Sequence, residues 1–274
     1  MGSQQALFQP PDMPSLQAAA ALLEQALRIR QSLLGGTSTR VTRESLDGLS
    51  RKLAPLPQIS NLKSEMPLGS QLASLREAVS VCRQCEHLAA SRTQTVFGAG
   101  NPQADLMFVG EAPGADEDQQ GEPFVGRAGE LLTRIIGAMG LSRGDVYIAN
   151  VLKCRPDMEP GAPGNRPPTT LEMQRCLPYL REQIAIIQPR VLVALGKTAM
   201  TGLTGADQSM SALRGRWLTF ENIPLLPTYH PSYLLRNGSN AEKRKVWEDM
   251  MLVMEKLGMP VSEKQRGFFL SASQ

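Results

Sequence analysis

Four cysteines, two histidines and a glycine-rich acidic stretch are the parts of this 274-residue chain best suited to chemistry. The cysteines run Cys82-x2-Cys85, then Cys154 after 68 residues, then Cys176 after 21 more. Four thiolates can hold zinc or an iron-sulfur cluster. Structural zinc sites commonly pair two C-x2-C knuckles, whereas here the second pair is split between a strand end and a helix. That split suits a cluster better, with unligated core cysteines as the third reading. A reducing cytoplasm argues against disulfides. In either metal case the Pro- and Gly-rich stretch from Arg155 to Arg175 is pinned at both ends.

The second chemical region is Leu106 to Leu132, which reads as a buried strand, a glycine-rich acidic loop and a helix. Gly110, Gly114, Gly121, Gly126 and Gly129 place free N–H groups and a positive helix end around one crevice, which suits an anionic or polar ligand. The spacing matches neither a dinucleotide fingerprint nor a P-loop, so glycine content alone names no ligand. His230 lies opposite this loop in a strand-ending YHPSYLLR segment, where the following Pro fixes the next turn. His87 follows Cys85 and reads as surface or as a distant candidate ligand.

The elements that must position these groups alternate. Strands are expected at Ala104 to Val109, Asp145 to Leu152, Arg190 to Leu195 and Ile223 to Pro227. Helical patterns lie at Ala128 to Met139, Leu171 to Ile187 and Lys197 to Leu203, and a last helix runs from about Ala241 to Leu257. Another helical pattern, Leu72 to Ser91, carries Cys82 and Cys85 on one face. Short Val-, Ile- and Leu-rich strands separated by helices imply an α/β fold with a short, mostly parallel sheet. Ligands of such sheets bind at the carboxyl ends of the strands. There the chain places Glu111, then Asn150 with Lys153 and Cys154, then Tyr229-His230-Pro231-Ser232.

Charge excludes little: residues 69–258 hold 20 basic and 20 acidic side chains, so nucleic-acid contact would need local clusters such as Arg214 with Arg216, or Lys243-Arg244-Lys245. The start of the chain lacks a charged n-region followed by an apolar core, and no apolar run is long enough to span a bilayer. The expectation is a cytoplasmic protein without membrane contact. Residues 1–68 read as a partly disordered extension with one helix, Ser15 to Leu34. Residues 69–258 read as the domain and 259–274 as a C-terminal tail.

GEAPGADEDQQGEPFVGRAGELL, NVLKCRP, GNRPP, LRGRW and HPSYLLR, in this order and with the four cysteines, closely resemble family 4 uracil-DNA glycosylases. The resemblance covers about 69–258. It implies a single three-layer α/β/α domain, a structural 4Fe-4S cluster on Cys82, Cys85, Cys154 and Cys176, and excision of uracil from single- or double-stranded DNA by a monomer. DMEPGAPG, between Cys154 and Cys176, departs from the family as an insertion.

With uracil as substrate, the residues take roles. The nucleotide must be flipped out of the duplex and held by edge hydrogen bonds and stacking. Phe124 supplies a stacking face, and Gly110 is a further substrate-binding candidate. Asn150 accepts from uracil N3–H and donates to O4, a pairing that cytosine reverses. Neutral His230 donates to O2 as negative charge develops there. Glu111, Glu117 and Asn165 are the candidates for the sugar side and the attacking water, where family 1 enzymes have an aspartate and this chain has Ala112. Ser232 pinches a phosphate, Leu235 wedges into the gap left by the base, and Arg236 reaches the backbone.

Two rivals carry different expectations. A subgroup resembling family 4 captures uracil-DNA covalently through a histidine in an inserted arginine-rich loop, but here LRGRW runs directly into LTFENIPLLPTYHP. An iron-sulfur electron carrier would have no need of Phe124, Asn150 and His230 together. Finally, Gln4 to Phe8 fits the loose Q-x-x-L-F pattern by which bacterial proteins dock on the replication sliding clamp, and Gln265 to Phe269 is a second partial match.

Overall fold

A computed structural model describes residues 67–156 and 165–270. All of these belong to one compact unit, Lys63–Gln274. The Ser15–Leu34 helix, the Gln4–Phe8 segment and the DMEPGAPG insertion lie outside the described residues.

The sheet has six strands: β1 (Ala99–Gly100), β2 (Leu106–Gly110), β3 (Tyr147–Asn150), β4 (Val191–Leu195), β5 (Leu218–Phe220) and β6 (Ile223–Thr228), in the order β1-β3-β2-β4-β6-β5. The inner four are parallel, as the alternation of strands and helices requires. Two antiparallel edge strands, β1 and β5, were not expected from sequence. They are too short to show a period, and β5 turns into β6 through Glu221 and Asn222, both with positive φ, in a two-residue hairpin.

Helices cover both faces of the sheet. Met107 and Val109 of β2 join Leu72 of α1 (Leu68–Ser80), Leu180 and Ile184 of α5 (Thr170–Ile187) and Met200 of α6 (Lys197–Thr204). Leu106 and Phe108 point the other way, against Leu132 and Ile136 of α4 (Arg127–Ala138) and Trp247 and Met250 of α9 (Asn240–Leu257). The result is the expected three-layer α/β/α architecture. Strand order reverses around β2 and β4, and the crevice at their carboxyl ends is where ligands of such sheets bind.

Three expectations need correction. The single helix over Leu72–Ser91 is two, α1 and α2 (Glu86–Ser91), so Cys82 and Cys85 do not share a helical face but occupy the break between them. The carbonyls freed by that break are satisfied from outside: Arg92 donates to Ser80 O and Cys82 O, and Arg175 donates to Gln84 O. The acidic loop after β2 contains a short helix, α3 (Ala115–Gln120). The turn expected at the Pro after His230 is the start of a helix, α8 (Pro231–Arg236), with Pro231 in its first turn. Two further short helices, α7 (Met210–Leu213) and α10 (Glu263–Arg266), complete the described elements.

Residues after 258 pack onto the α4/α9 layer through Met259, Val261 and Phe268. Trp247 Nε1 donates to Gln265 O at 2.6 Å, and Gln265 donates to Ala138 O at 2.8 Å. The second Q-x-x-L-F-like match is therefore folded against the domain.

Phe108 is completely buried in the central strand. Phe108→Ala should cost about 3–5 kcal/mol, measured by equilibrium denaturant unfolding, because a cavity there cannot be closed by neighbours fixed in the sheet.

Candidate active site

Phe124 is nearly buried, yet its backbone adopts φ +55°, a left-handed conformation that an aromatic residue rarely takes. Two side chains hold it there. Glu117 Oε1 accepts from the N–H groups of Val125 at 3.0 Å and Gly126 at 3.1 Å, while Oε2 accepts from Gly114 N–H at 3.0 Å. From the other side, the Arg143 guanidinium donates to Pro123 O at 2.7 Å and to Phe124 O at 3.2 Å. At Gly129, in the first turn of α4, a Cβ would overlap the Phe124 backbone.

The ring held by this turn faces three others of the expected residues. A Cβ at Gly110 would overlap both the Phe124 ring and Asn150 Oδ1, so only glycine at the end of β2 keeps this corner open. Asn150, at the end of β3, is buried, and its Oδ1 has no hydrogen-bond partner. A buried acceptor left bare is costly unless a ligand supplies the donor. The His230 ring lies 5.6 Å from Phe124, centroid to centroid, at a tilt of 33°.

His230 caps α8 with its own ring: Nδ1 accepts the Ser232 N–H at 3.1 Å and lies 2.8 Å from Ser232 Oγ. An Nδ1 that accepts carries no proton, which leaves the proton on Nε2 as an outward donor. Burial, helped by the nearby Arg236 cation, lowers the imidazole pKa to about 4, so the ring is neutral at pH 7. The Ser232 hydroxyl is thus engaged with His230 rather than free for phosphate. Leu235, 40% exposed, and Arg236 project from the outer side of α8.

The three candidates for the sugar side differ in their surroundings. The Glu117 carboxylate is occupied by backbone N–H groups, as above. Glu111 follows Gly110 and accepts a hydrogen bond from Thr198, and burial pushes its carboxyl up from the ordinary value. Asn165 is exposed, takes a hydrogen bond from Arg155 Nε at 3.3 Å, and has its Nδ2 over Gly114.

Cys85, Cys154 and Cys176 are buried in one cluster with Leu88 and Leu152. Cys82 is close enough for its charge to act on all three. Burial pushes these three thiols up, Cys176 to about 12. Donors nonetheless ring the sulfurs: Arg92 Nη1 to Cys154 Sγ at 3.0 Å, the Lys153 N–H to Cys176 Sγ at 3.2 Å, Arg175 to Cys85, and Tyr179 with Cys82. Among the described residues, no three His, Cys, Asp or Glu side chains converge as the ligands of one ion do. His87 instead hydrogen-bonds Glu172 at 2.7 Å. Against the upward push of burial, hydrogen bonds from Arg166, His87 and the Thr169 N–H hold the Glu172 carboxyl down at about 2.

Sequence reasoning missed Arg143, which lies in a loop with no periodic signal, and the packing glycine Gly196, whose missing Cβ leaves room for His230. It also missed the burial of Lys153. That side chain donates to Asn150 O at 2.9 Å and to Gln183, and burial lowers its pKa to about 8.

Comparison with known proteins identifies the family. The sequence model of the Uracil DNA glycosylase superfamily matches residues 97–251. A type-4 uracil-DNA glycosylase of Thermotoga maritima is 47% identical over 178 residues, which cover 64% of this chain and 88% of that protein. The type-4 enzyme of Sulfurisphaera tokodaii is 39% identical over 208 residues, 73% of this chain and 90% of its own. A type-5 uracil-DNA glycosylase of Thermus thermophilus is more distant, at 29% over 158 residues.

The folded-state pKa of His230 lies below the ordinary value of about 6.5. Between the two, the unfolded chain binds more protons. The stability tied to this ring is therefore complete above about pH 6.5 and is lost as pH falls towards 4. Imidazole NMR should show His230 neutral at pH 6 with the proton on Nε2; titration near 6.5 would contradict the burial argument.

Proposed function

This chain belongs to the uracil-DNA glycosylase superfamily and, within it, to the type-4 enzymes, and on that premise we propose that it flips uracil out of DNA and hydrolyses its N-glycosidic bond, leaving an abasic site for base excision repair. The observation that carries the reading is the bare Asn150 Oδ1 beside Phe124 and a neutral His230.

Uracil stacked on Phe124 would present its N3–H to Asn150 Oδ1 and its O4 to the amide N–H2. Cytosine has a lone pair at N3, which would leave the acceptor bare, and leaving a buried polar group unpaired is what makes such a site selective. As the C1′–N1 bond breaks, its electron pair departs with uracil and the negative charge reaches O2. The His230 Nε2–H then stabilises the anion without transferring a proton. Water adds its oxygen to the sugar C1′ and loses a proton. Glu111, half-buried and raised by desolvation, and Asn165 are the groups we assign to that side. Glu117 serves by holding the Phe124 turn, and Ser232 by fixing the His230 tautomer. Leu235 and Arg236 face outward, as a wedge and a phosphate contact require.

Turnover is favoured over covalent capture because LRGRW runs directly into LTFENIPLLPTYHP, with no inserted arginine-rich loop to bring a capturing histidine to the pocket. The cysteines fit a 4Fe-4S cluster: four thiols from three segments, three of them buried together and the sulfurs met by hydrogen-bond donors. Such a cluster, when bound, crosslinks the α1–α2 break, the end of β3 and α5. Its presence, a cytoplasmic monomer and sliding-clamp docking through Gln4 to Phe8 are proposals that rest on the sequence and on this fit.

Alkali-labile breaks in a uracil oligonucleotide test the activity, and none with the intact chain would refute it. His230→Ala should slow excision about 10²- to 10³-fold with DNA binding nearly intact; equal loss of binding would make His230 a binding residue only. Anaerobically purified protein should be brown and contain iron, whereas stoichiometric zinc without iron would reject the cluster. Cys154→Ala should lose iron and solubility.

A further inference from the structure

The strand that delivers His230 is anchored by a polar group that the chemistry above does not use. Asp249, on α9, is completely buried beside Trp247 and Met250 in the apolar layer. Its carboxylate accepts from Thr228 Oγ1 at 2.6 Å, Arg214 Nη2 at 2.9 Å and Arg214 Nε at 3.2 Å. The same guanidinium donates to the Lys245 carbonyl and lies 6.0 Å from the Tyr229 ring centre. Thr228 is the last residue of β6, two before His230, and its carbonyl accepts the Gly196 N–H at 2.9 Å. Gly196, just past the end of β4, has φ +92°, and a Cβ there would come within 3.0 Å of His230 Cβ. One carboxylate therefore gathers the Arg214 turn and the end of β6, and through Thr228 the end of β4, all beside His230.

Holding a carboxylate here is costly. Burial pushes its pKa up to about 6 against the pull of Thr228 and Arg214, with Glu248, 3.9 Å from Arg214 Nη2, adding to the push. The side chain of Lys245 is turned to Glu242 and does not relieve it. A folded-state pKa above the ordinary value means the ionised group costs stability as pH rises through it. An apolar side chain would fill the space without that cost. What the carboxylate adds is direction, since its two oxygens fix a hydroxyl and a planar guanidinium at once.

We propose that Asp249 is a positioning residue for His230: through Thr228 and Arg214 it fixes the end of β6 so that the imidazole is presented to the pocket. Its catalytic consequence rests on the uracil reading of that pocket; the anchoring itself does not. A displacement of about 1 Å in such a group costs up to about 10²-fold in rate.

The test uses the full chain with Asp249→Asn and, separately, Thr228→Val, which leaves the Arg214–Asp249 pair intact and cuts only its link to β6. The chain has two histidines, so the imidazole 15N–1H spectrum resolves His230 from His87. In both variants the His230 signals should move while those of His87 stay. Single-turnover excision should fall about 10- to 100-fold with KM for uracil-DNA little changed. Unmoved His230 signals, an unchanged rate, or a loss expressed wholly in KM would overturn the proposal. If Asp249→Asn does not fold, Thr228→Val decides alone. Were the unaltered chain to excise no uracil, the functional reading would fail while the imidazole signals still judged the anchor.

Discussion

The site depends on one turn held at a backbone angle that its own side chain resists. Phe124 at φ +55° would relax in an open loop, and it persists because Glu117 takes the N–H groups after it while Arg143 takes the carbonyls at and before it. The clamp is electrostatically matched, a carboxylate on donors and a guanidinium on acceptors. It also fills groups that a buried loop would otherwise leave bare. Gly129 lets α4 begin directly beneath the turn. The ring is thus held in place by the chain itself, and a base stacked on it as proposed would meet little ordering cost.

Around that ring, the pattern of satisfied and unsatisfied polar groups is selective. Lys153, Gln183, Glu172 and Asp249 are buried and fully partnered, while Asn150 Oδ1 is bare at the mouth of β3. His230 combines both conditions, with one nitrogen satisfied inside α8 and the other left to donate. Its neutrality follows from burial and from the Arg236 cation, so the donor is available without a proton to give away. Such an arrangement suits a leaving group that gains charge and needs a fixed dipole.

The cysteine centre and the pocket are parts of one framework. Lys153 makes the connection: its N–H serves Cys176 and its ammonium group the Asn150 carbonyl. Glu172, on the helix that carries Cys176, binds Arg166 beside Asn165 and His87 beside Cys85. Crosslinking the cysteines would therefore stiffen both the β3 end and the loop that brings Asn165 over Gly114.

Much of this was legible in the chain itself. Alternating apolar strands and amphipathic helices dictate a parallel sheet with two covered faces, and the carboxyl ends of β2, β3 and β6 could be named from the polar residues that follow them. Period and sign of hydrophobicity are local properties, so they survive in sequence. Cysteine and histidine are the rare residue types of the chain, four and two in 274, and rarity is also legible; the roles of Phe124 and Asn150 came from the family resemblance. Tertiary structure alone decided what surrounds them. The break that frees Cys82 and Cys85 from a helix depends on Arg92 and Arg175, the second of them 91 positions beyond the carbonyl it satisfies. The tautomer of His230 follows from a helix too short to carry a period. The occupation of Glu117 by backbone N–H groups, the clamp of Arg143 and the burial of Asp249 depend on distances between segments that no spacing encodes, because desolvation and hydrogen-bond geometry exist only once the layers have closed.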